Sequence, residues 1–253
     1  MTASYFEPEW PLPPRVRAII TTRELGASRA PFHRNNLASH VGDDINAVKV
    51  NRLQLCHQLG ITPLWMNQVH STDLWDIDNQ ALPHYSDACY SRAHGNVCSV
   101  LTADCLPVLA CNQEGTQVAA AHAGWRGLAG GVISNMIASF SSPADELNVY
   151  LGPAISQSHF EVGSDVLRAF ELSADQRCYA EPVTASFIKA SAPDKYFADL
   201  YRLARSELKG LGITSIHGGN YCTFGEPERF FSYRRDGKTG RMASLIWIAN
   251  PQQ

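Results

Sequence analysis

No apolar run in this sequence approaches the roughly 18 residues of a membrane-spanning helix. Thr102, Asp104 and Pro107 break the longest candidate. Charge of neither sign prevails: 21 Lys and Arg against 24 Asp and Glu leave a net charge of −3. That balance gives no electrostatic reason to expect nucleic acid or an anionic membrane as partner. The cysteines number seven, an odd count, and none falls in a CxxC pair, which argues against a disulfide framework. A reducing cytoplasm is the natural setting for such thiols. The first fourteen residues, MTASYFEPEWPLPP, hold two acidic groups and four prolines. They read as an extended arm, not as a secretory signal. Internal repeats, low-complexity tracts and linkers are absent, and the nine histidines include no HxH pair. What remains is ordinary: 253 residues, 45% hydrophobic and 18% charged, read as one domain spanning 1–253.

Chemistry concentrates where the chain is most apolar, between Thr102 and Gly127 (TADCLPVLACNQEGTQVAAAHAGWRG). One strand is expected over Val97 to Cys111, interrupted by Thr102, Asp104 and Cys105. A second, Gln117 to Ala121, runs into His122 and Gly124, and Asn112 to Thr116 has the composition of a hairpin loop. A carboxylate, a thiol and an imidazole set among apolar residues cost free energy unless they are paired or bind something.

Elsewhere the pattern predicts a strand over Val16 to Arg23, then a long irregular connection from Glu24 to Gly42. A helix from Asp43 or Asp44 to Leu59 follows, with Ile45, Val48, Leu55 and Leu59 on one face and Gly60 as its stop. Leu64 to Asp78 reads as one or two strands broken near His70, and Ser86 to Tyr90 as a short strand. Helices are expected over Leu128 to Phe140, Val162 to Glu171 and Tyr196 to Lys209, and strands over Leu147 to Leu151 and Thr214 to Thr223. Phe230 to Arg235 and Met242 to Ala249 are expected to form a hairpin. Strands do not alternate regularly with helices, so a mixed-sheet α+β fold is expected.

His70, Cys105 and His122 each follow a strand-like segment. Zinc takes imidazole nitrogen and thiolate in tetrahedral geometry, and a catalytic zinc keeps three protein ligands and one open position. The gaps of 35 and 17 residues match no compact finger, and the alternative is a small buried thiol with two core histidines. In HAGWRG, Gly124 and Gly127 permit close backbone approach, Arg126 suits an anion, and Trp125 suits a base. A tight turn into a helix explains the same residues. Asp104 is either an acid/base group or a brace for its neighbours. It shares a pocket with Cys105 only if a bulge or strand end intervenes, because adjacent strand residues face opposite ways. Arg23 ends a strand before the long connection that carries Asn36.

These stretches bear a resemblance. TTR at Thr21 to Arg23, NLASHVGDD at Asn36 to Asp44, NQVHS at Asn67 to Ser71 and TADCLPVL at Thr102 to Leu109 are four parts of it. AAAHAGWRG at Ala119 to Gly127, LGPAIS at Leu151 to Ser156, FEVG at Phe160 to Gly163 and FFSYRRDGKTGRMASLIWI at Phe230 to Ile248 complete it. The chain resembles the laccase-domain, or polyphenol oxidase, family over nearly its whole length. Members of that family also go by the names purine nucleoside phosphorylase and peptidoglycan editing factor. GGNYCT at Gly218 to Thr223 is a looser match.

The resemblance implies a four-layer αββα fold, similar to that of bacterial toxin deamidases that use a cysteine. It implies that His70, Cys105 and His122 bind zinc, or copper in some accounts. It also implies phosphorolysis of adenosine, guanosine, inosine and methylthioadenosine, together with deamination of adenosine. On this reading Cys105, Asp104 and His122 are catalytic, and Arg23, Asn36 and Arg126 bind nucleoside and phosphate. The oligomeric state is left open. Three other classes remain: a copper oxidase of phenols, a thiol hydrolase with Cys105 as nucleophile and His122 as base, and a non-enzymatic protein with a structural metal. The lack of HxH pairs counts against a conventional multi-copper laccase, which needs many clustered histidines.

Overall fold

The computed structural model describes residues 4–79 and 85–250. Of the expected arm, residues 1–3 lie outside the described residues, and Tyr5–Phe6 forms strand β1. Strand β2 (Val16–Thr21), helix α1 (Ile45–Leu59), β3 (Leu74–Asp76), β4 (Ala88–Ser91), β5 (Val97–Thr102), β6 (Leu106–Asn112) and β7 (Val118–Ala123) follow. Then come α2 (Trp125–Gly130), α3 (Val132–Ala138), β8 (Leu147–Leu151), β9 (Glu161–Gly163), α4 (Ser164–Ala174), β10 (Phe187–Lys189) and β11 (Lys195–Ala198). The chain continues through α5 (Leu200–Gly210), β12 (Ser215–Gly218), the one-turn α6 (Tyr233–Asp236) and β13 (Met242–Ile248).

Two sheets face each other. One has the order β1-β2-β13-β5 and the other β12-β8-β6-β7-β4-β3; a small third sheet, β10-β11-β9, lies beside them. The six-stranded sheet is mixed, with β12 parallel to β8 and β3 parallel to β4. Side-chain alternation assigns each face its layer. Val16, Ala18 and Ile20 of β2, Cys98 and Val100 of β5, Val118 and Ala120 of β7, and Ile246 and Ile248 of β13 meet between the sheets. The opposite face of the six-stranded sheet, including Ala119, Ala121 and Ala123, packs under α2, α3, α4 and α5. Ile19, Leu101, Leu245 and Trp247 face Leu55 of α1 on the other side. The result is a four-layer αββα arrangement of the α+β class. Alternating alanines in β7 let α3 approach closely without losing a dry contact.

Helix α1 starts where Asp44 accepts the Asn46 N–H and ends at Gly60, whose φ of 64° closes the helix in the left-handed region. Its buried face is Val48, Asn51 and Leu55, while Ile45 is exposed. Asn51 takes that place because its amide is used in full: it accepts the Ala27 N–H and donates to Ser28, Arg34 and Asn36. One buried amide thus anchors the long connection.

Several expectations need correction. Before His70 the chain forms isolated bridges and no strand, so Leu64 to Asp78 yields only β3. Strand β12 stops at Gly218, short of Thr223, and Val162 belongs to β9, with α4 starting at Ser164. The stretch Val97 to Cys111 is two strands in different sheets, and Ala103-Asp104-Cys105 carries the chain from one sheet to the other. Tyr196 belongs to β11, and α5 begins only after Asp199, whose carboxylate accepts the Arg202 N–H. The final hairpin does not form. Ser232 caps α6 by accepting the Arg235 N–H, and β13 pairs instead with β2 and β5. Gly131, at φ 98°, divides the helix expected over Leu128 to Phe140 into α2 and α3.

Candidate metal centre

Register and alternation bring the site together. In the antiparallel pairing of β6 with β7, Pro107 stands opposite His122 and Leu106 opposite Ala123, so the next pair outward is Cys105 and Gly124. Leu106 and Ala123 face the helices, so Cys105 and His122 fall on the other face, at the edge of the inter-sheet core. Pairing of β4 with β7 sets Ala88 opposite Ala121, which puts Asp87 beside His122. His70 arrives from the loop before β3, at a φ of 61°. One ligand atom from each of His70, Cys105 and His122 lies within 4.8 Å of the others.

Asp87 ties these parts to each other. It is fully buried. One carboxylate oxygen is 2.7 Å from His122 Nδ1, and the other accepts the backbone N–H groups of Val69 at 3.0 Å and Ser71 at 2.6 Å. A single side chain therefore orients one histidine and clamps the loop on both sides of the other. Burial alone would raise the Asp87 carboxyl, but these bonds and the His122 charge hold it below the ordinary value. Burial pulls the His122 imidazole down, yet the Cys105 thiolate and the Asp87 carboxylate outweigh it and push it up to about 9. Burial lowers His70, and the charges of His122, Arg126 and Arg241 lower it further against Asp87.

Gly124 closes the floor of the site. Its φ of −62° suits any residue, so its backbone conformation does not demand glycine. Space does: a Cβ there would stand 2.7 Å from His70 Nδ1 and 3.1 Å from Cys105 Sγ. Gly127 lets the start of α2 approach the His70 loop, with the Ser71 carbonyl 3.1 Å from where its Cβ would be.

Asp104 sits at the turn between the sheets with a φ of 90°, a conformation that costs a non-glycine residue about 1–3 kcal/mol unless its surroundings hold it. They do. Thr223 Oγ1 donates to one carboxylate oxygen at 2.6 Å, the Arg234 N–H donates to the other at 2.6 Å, and the Asp104 carbonyl accepts the Ile155 N–H. The strand end that the sequence reading required therefore lies here, between β5 and β6, and the charges of Asp104 and Cys105 both act on Arg241.

Arg126 is exposed, with its guanidinium 4.3 Å above the half-buried Trp125 ring. Its charge reaches His70, as does that of Arg241. In the sequence Arg241 lies in the loop of the expected final hairpin, immediately before Met242, with no role assigned. In the fold its backbone N–H is held by Asn36, and burial lowers its guanidinium while the Cys105 and Asp104 charges support it. Asn36 is fully buried; its amide also binds Ala38 and Asp43. Arg23 belongs to a different group. It donates to the His33 and Pro227 carbonyls, lies 3.9 Å from Asp236, and lines a cavity of about 300 Å³ with Arg34, Glu228 and Arg235. The structure thus brings His70, Cys105, His122 and Arg126 together with Asp87 and Arg241, and sets Arg23 apart. Asp87 escaped sequence reasoning because its relation to His122 depends on strand register. Its only local signal is a carboxylate opening the apolar run Asp87 to Tyr90.

Comparison with known proteins decides the family. The sequence profile named Multi-copper polyphenol oxidoreductase laccase matches residues 17–249. The chain belongs to this laccase-like family. Its relatives include a Pseudomonas aeruginosa protein named purine nucleoside phosphorylase, 47% identical over 97% of this chain and 98% of that protein. An Escherichia coli protein named purine nucleoside phosphorylase YfiH is 46% identical over 95% and 97% of the two chains. A solved structure from Neisseria meningitidis superposes with a TM-score of 0.92 at 44% identity, covering 98% of this chain and all of that one. The family's name refers to several coppers, whereas among the described residues one cluster of three His, Cys, Asp or Glu side chains converges. No helix among the described residues is long and apolar enough to cross a membrane.

Proposed function

We propose that the protein is a zinc-dependent purine nucleoside phosphorylase that also deaminates adenosine. The observation that carries this reading is the convergence of His70, Cys105 and His122 above a glycine that leaves them room. Relatives at 44–47% identity that bear the phosphorylase name support it. The donor set fits zinc better than calcium or magnesium, which prefer oxygen ligands; copper suits the same donors. When bound, such a metal polarises a substrate oxygen or a water molecule.

The chain's own groups do the rest. Asp87 fixes the His122 tautomer by taking the Nδ1 proton in a hydrogen bond, leaving Nε2 for the metal. In phosphorolysis a phosphate oxygen attacks the anomeric carbon as the bond to the purine nitrogen breaks. The products are ribose 1-phosphate and the base, which takes up a proton. Arg126 and Arg241 place positive charge beside His70, where a phosphate dianion gains from a guanidinium fork. Arg23, in its separate cavity, is the weaker candidate for that anion. Asn36 acts through Arg241 by holding its backbone. In deamination water replaces the amine at the purine C6, and a carboxylate must carry the proton. Asp104 is the candidate, and its hydrogen bonds also make it the brace of the Cys105 turn.

Metal analysis tests the reading. Protein purified without an affinity tag is expected to hold one zinc per chain, and Cys105→Ala is expected to lose zinc and nucleoside cleavage together while keeping its fold. Stoichiometric zinc in Cys105→Ala overturns the ligand assignment. Copper in place of zinc returns the oxidase reading.

A second reading has its own observation. Cys105, His122 and Asp87 form a nucleophile, base and orienting carboxylate, the layout of a thiol hydrolase. A metal-bound thiolate is masked from alkylation. Rapid labelling of Cys105 in metal-replete protein supports the hydrolase; labelling only after chelation supports the metal centre.

A further inference from the structure

A second thiol, Cys222, adjoins Thr223, whose hydroxyl donates to Asp104. Cys222 follows β12, is half-buried, and bridges to Ala154. Ser156 Oγ donates to its sulfur at 3.0 Å, the Gly225 N–H donates at 3.3 Å, and His159 Nδ1 lies 3.5 Å away. The His159 ring is held by stacking on Phe224, with centroids 4.5 Å apart and 22° between planes. Glu226 accepts the Cys222 N–H, which fixes the backbone behind the thiol. His159 Nδ1 also lies 3.2 Å from Ser156 Oγ and 3.0 Å from Ser158 Oγ, so two donors and an imidazole shared with these hydroxyls converge on one sulfur.

Cys222, Ser156 and Glu226 line a cavity of about 720 Å³, within the size range of small-molecule sites. Its charged lining is Glu181, Asp199, Arg202, Arg205, Lys209 and Glu226. Arg202 is bound to Glu181, Asp199 caps α5, and Glu226 is bound to Arg229. Among the described residues, Arg205 bonds only backbone carbonyls, and Lys209 forms no ion pair although its charge acts on Glu181. Asp199 keeps its charge while capping α5, but Glu226 is paired with Arg229 outside the cavity, so the balance left to a ligand is modestly positive.

We infer that Cys222 is a site of reversible S-thiolation by small disulfides that carry carboxylates, with His159 as its base. The Cys222 proton passes to His159, and the sulfur attacks one sulfur of the disulfide. The S–S bond of the reagent breaks, its electron pair leaves with the departing thiolate, and that thiolate takes the proton from His159. The protein thiol is oxidised to a mixed disulfide and the reagent is reduced to one thiol. This site is independent of the chemistry assigned to Cys105.

The test treats the metal-replete full chain with 5,5′-dithiobis(2-nitrobenzoate), an anionic disulfide, and with cystamine, a cationic one. Peptide mass mapping follows the labelling rate at each cysteine. Cys222 is expected to react on the order of tenfold or more faster than the exposed Cys178, and to prefer the anionic reagent. His159→Ala is expected to slow Cys222 by a similar factor without changing Cys178, and Lys209→Glu to reverse the reagent preference. Cys222 labelling no faster than Cys178, or unaffected by His159→Ala, overturns the inference. The wild-type comparison decides the matter even if a variant does not fold.

Discussion

Asp87 is the residue on which the candidate metal centre turns. It serves two candidate ligands, His122 and the His70 loop, through two oxygens, so its loss is expected to be felt at both. Asp87→Asn keeps the shape but reverses one hydrogen-bonding role, and changes of this kind behind a metal ligand lower metal affinity about 10–100-fold. Competition with a chromophoric chelator is expected to show that drop with the circular dichroism spectrum unchanged; unaltered affinity contradicts the orienting role. Gly124→Ala is expected to do more, because its methyl group meets His70 and Cys105 themselves. Zinc content of the purified variant is expected to fall to trace levels, and normal zinc content means that the site has slack enough to admit the methyl group. Asp104→Asn separates brace from proton carrier. A brace loses zinc with activity, whereas a proton carrier keeps zinc and loses deamination. At this scale the sequence pointed to three candidate donors that the fold brings within 4.8 Å of one another, although His70 lies in a loop and His122 inside β7 instead of at strand ends. The carboxylate behind them was not legible, since only the pairing of β4 with β7 makes it their neighbour.

Among the elements, α5 carries a buried carboxylate that the proposed chemistry does not use. Glu207 is fully buried against α3, with one oxygen accepting from Ser134 at 2.6 Å and the other without a hydrogen-bond partner. Burial raises its carboxyl above the ordinary value, against the opposing pull of Ser134 and Arg177. The folded state therefore binds this proton more tightly than the unfolded chain. Its stabilisation is fully present below the unfolded value of 4.5 and is lost as pH rises through the folded one. Glu207→Gln is expected to flatten that dependence, so that its melting temperature gains on wild type between pH 5 and pH 8. A gain that shrinks with pH contradicts the sign. Helix α1 offers a simpler check: Asp44→Ala removes its cap and is expected to cost about 1 kcal/mol in urea unfolding. Helices were legible where cap, apolar spacing and glycine stop agreed, as in α1. They were misplaced where a strand ran into a helix without a break, as from β11 to α5. The expected final hairpin failed because Ser232 offered its backbone a helical turn and Asp104, from far away in sequence, captured the Arg234 N–H.

For the whole molecule, the α+β class followed from irregular alternation of elements, and the αββα layering came with the family resemblance. No local pattern could show that Val97 to Asn112 passes from one sheet to the other, because both strands are buried on both faces. That passage is nevertheless what sets Cys105 at the mouth of the inter-sheet core, next to His122 and close to the charges of Arg126 and Arg241. Removing a charge-assisted phosphate contact costs about 1.5–3 kcal/mol, so Arg126→Ala is expected to slow phosphorolysis by on the order of tenfold or more. Deamination is expected to suffer less. Equal loss of both reactions means that Arg126 serves the fold instead, through its contact with Trp125. The central claim is tested most directly by the products formed from adenosine as phosphate is varied from none to saturation. Adenine and ribose 1-phosphate are expected to rise together with phosphate, and inosine to form with or without it. Free ribose released at full rate in the absence of phosphate contradicts the phosphorylase reading.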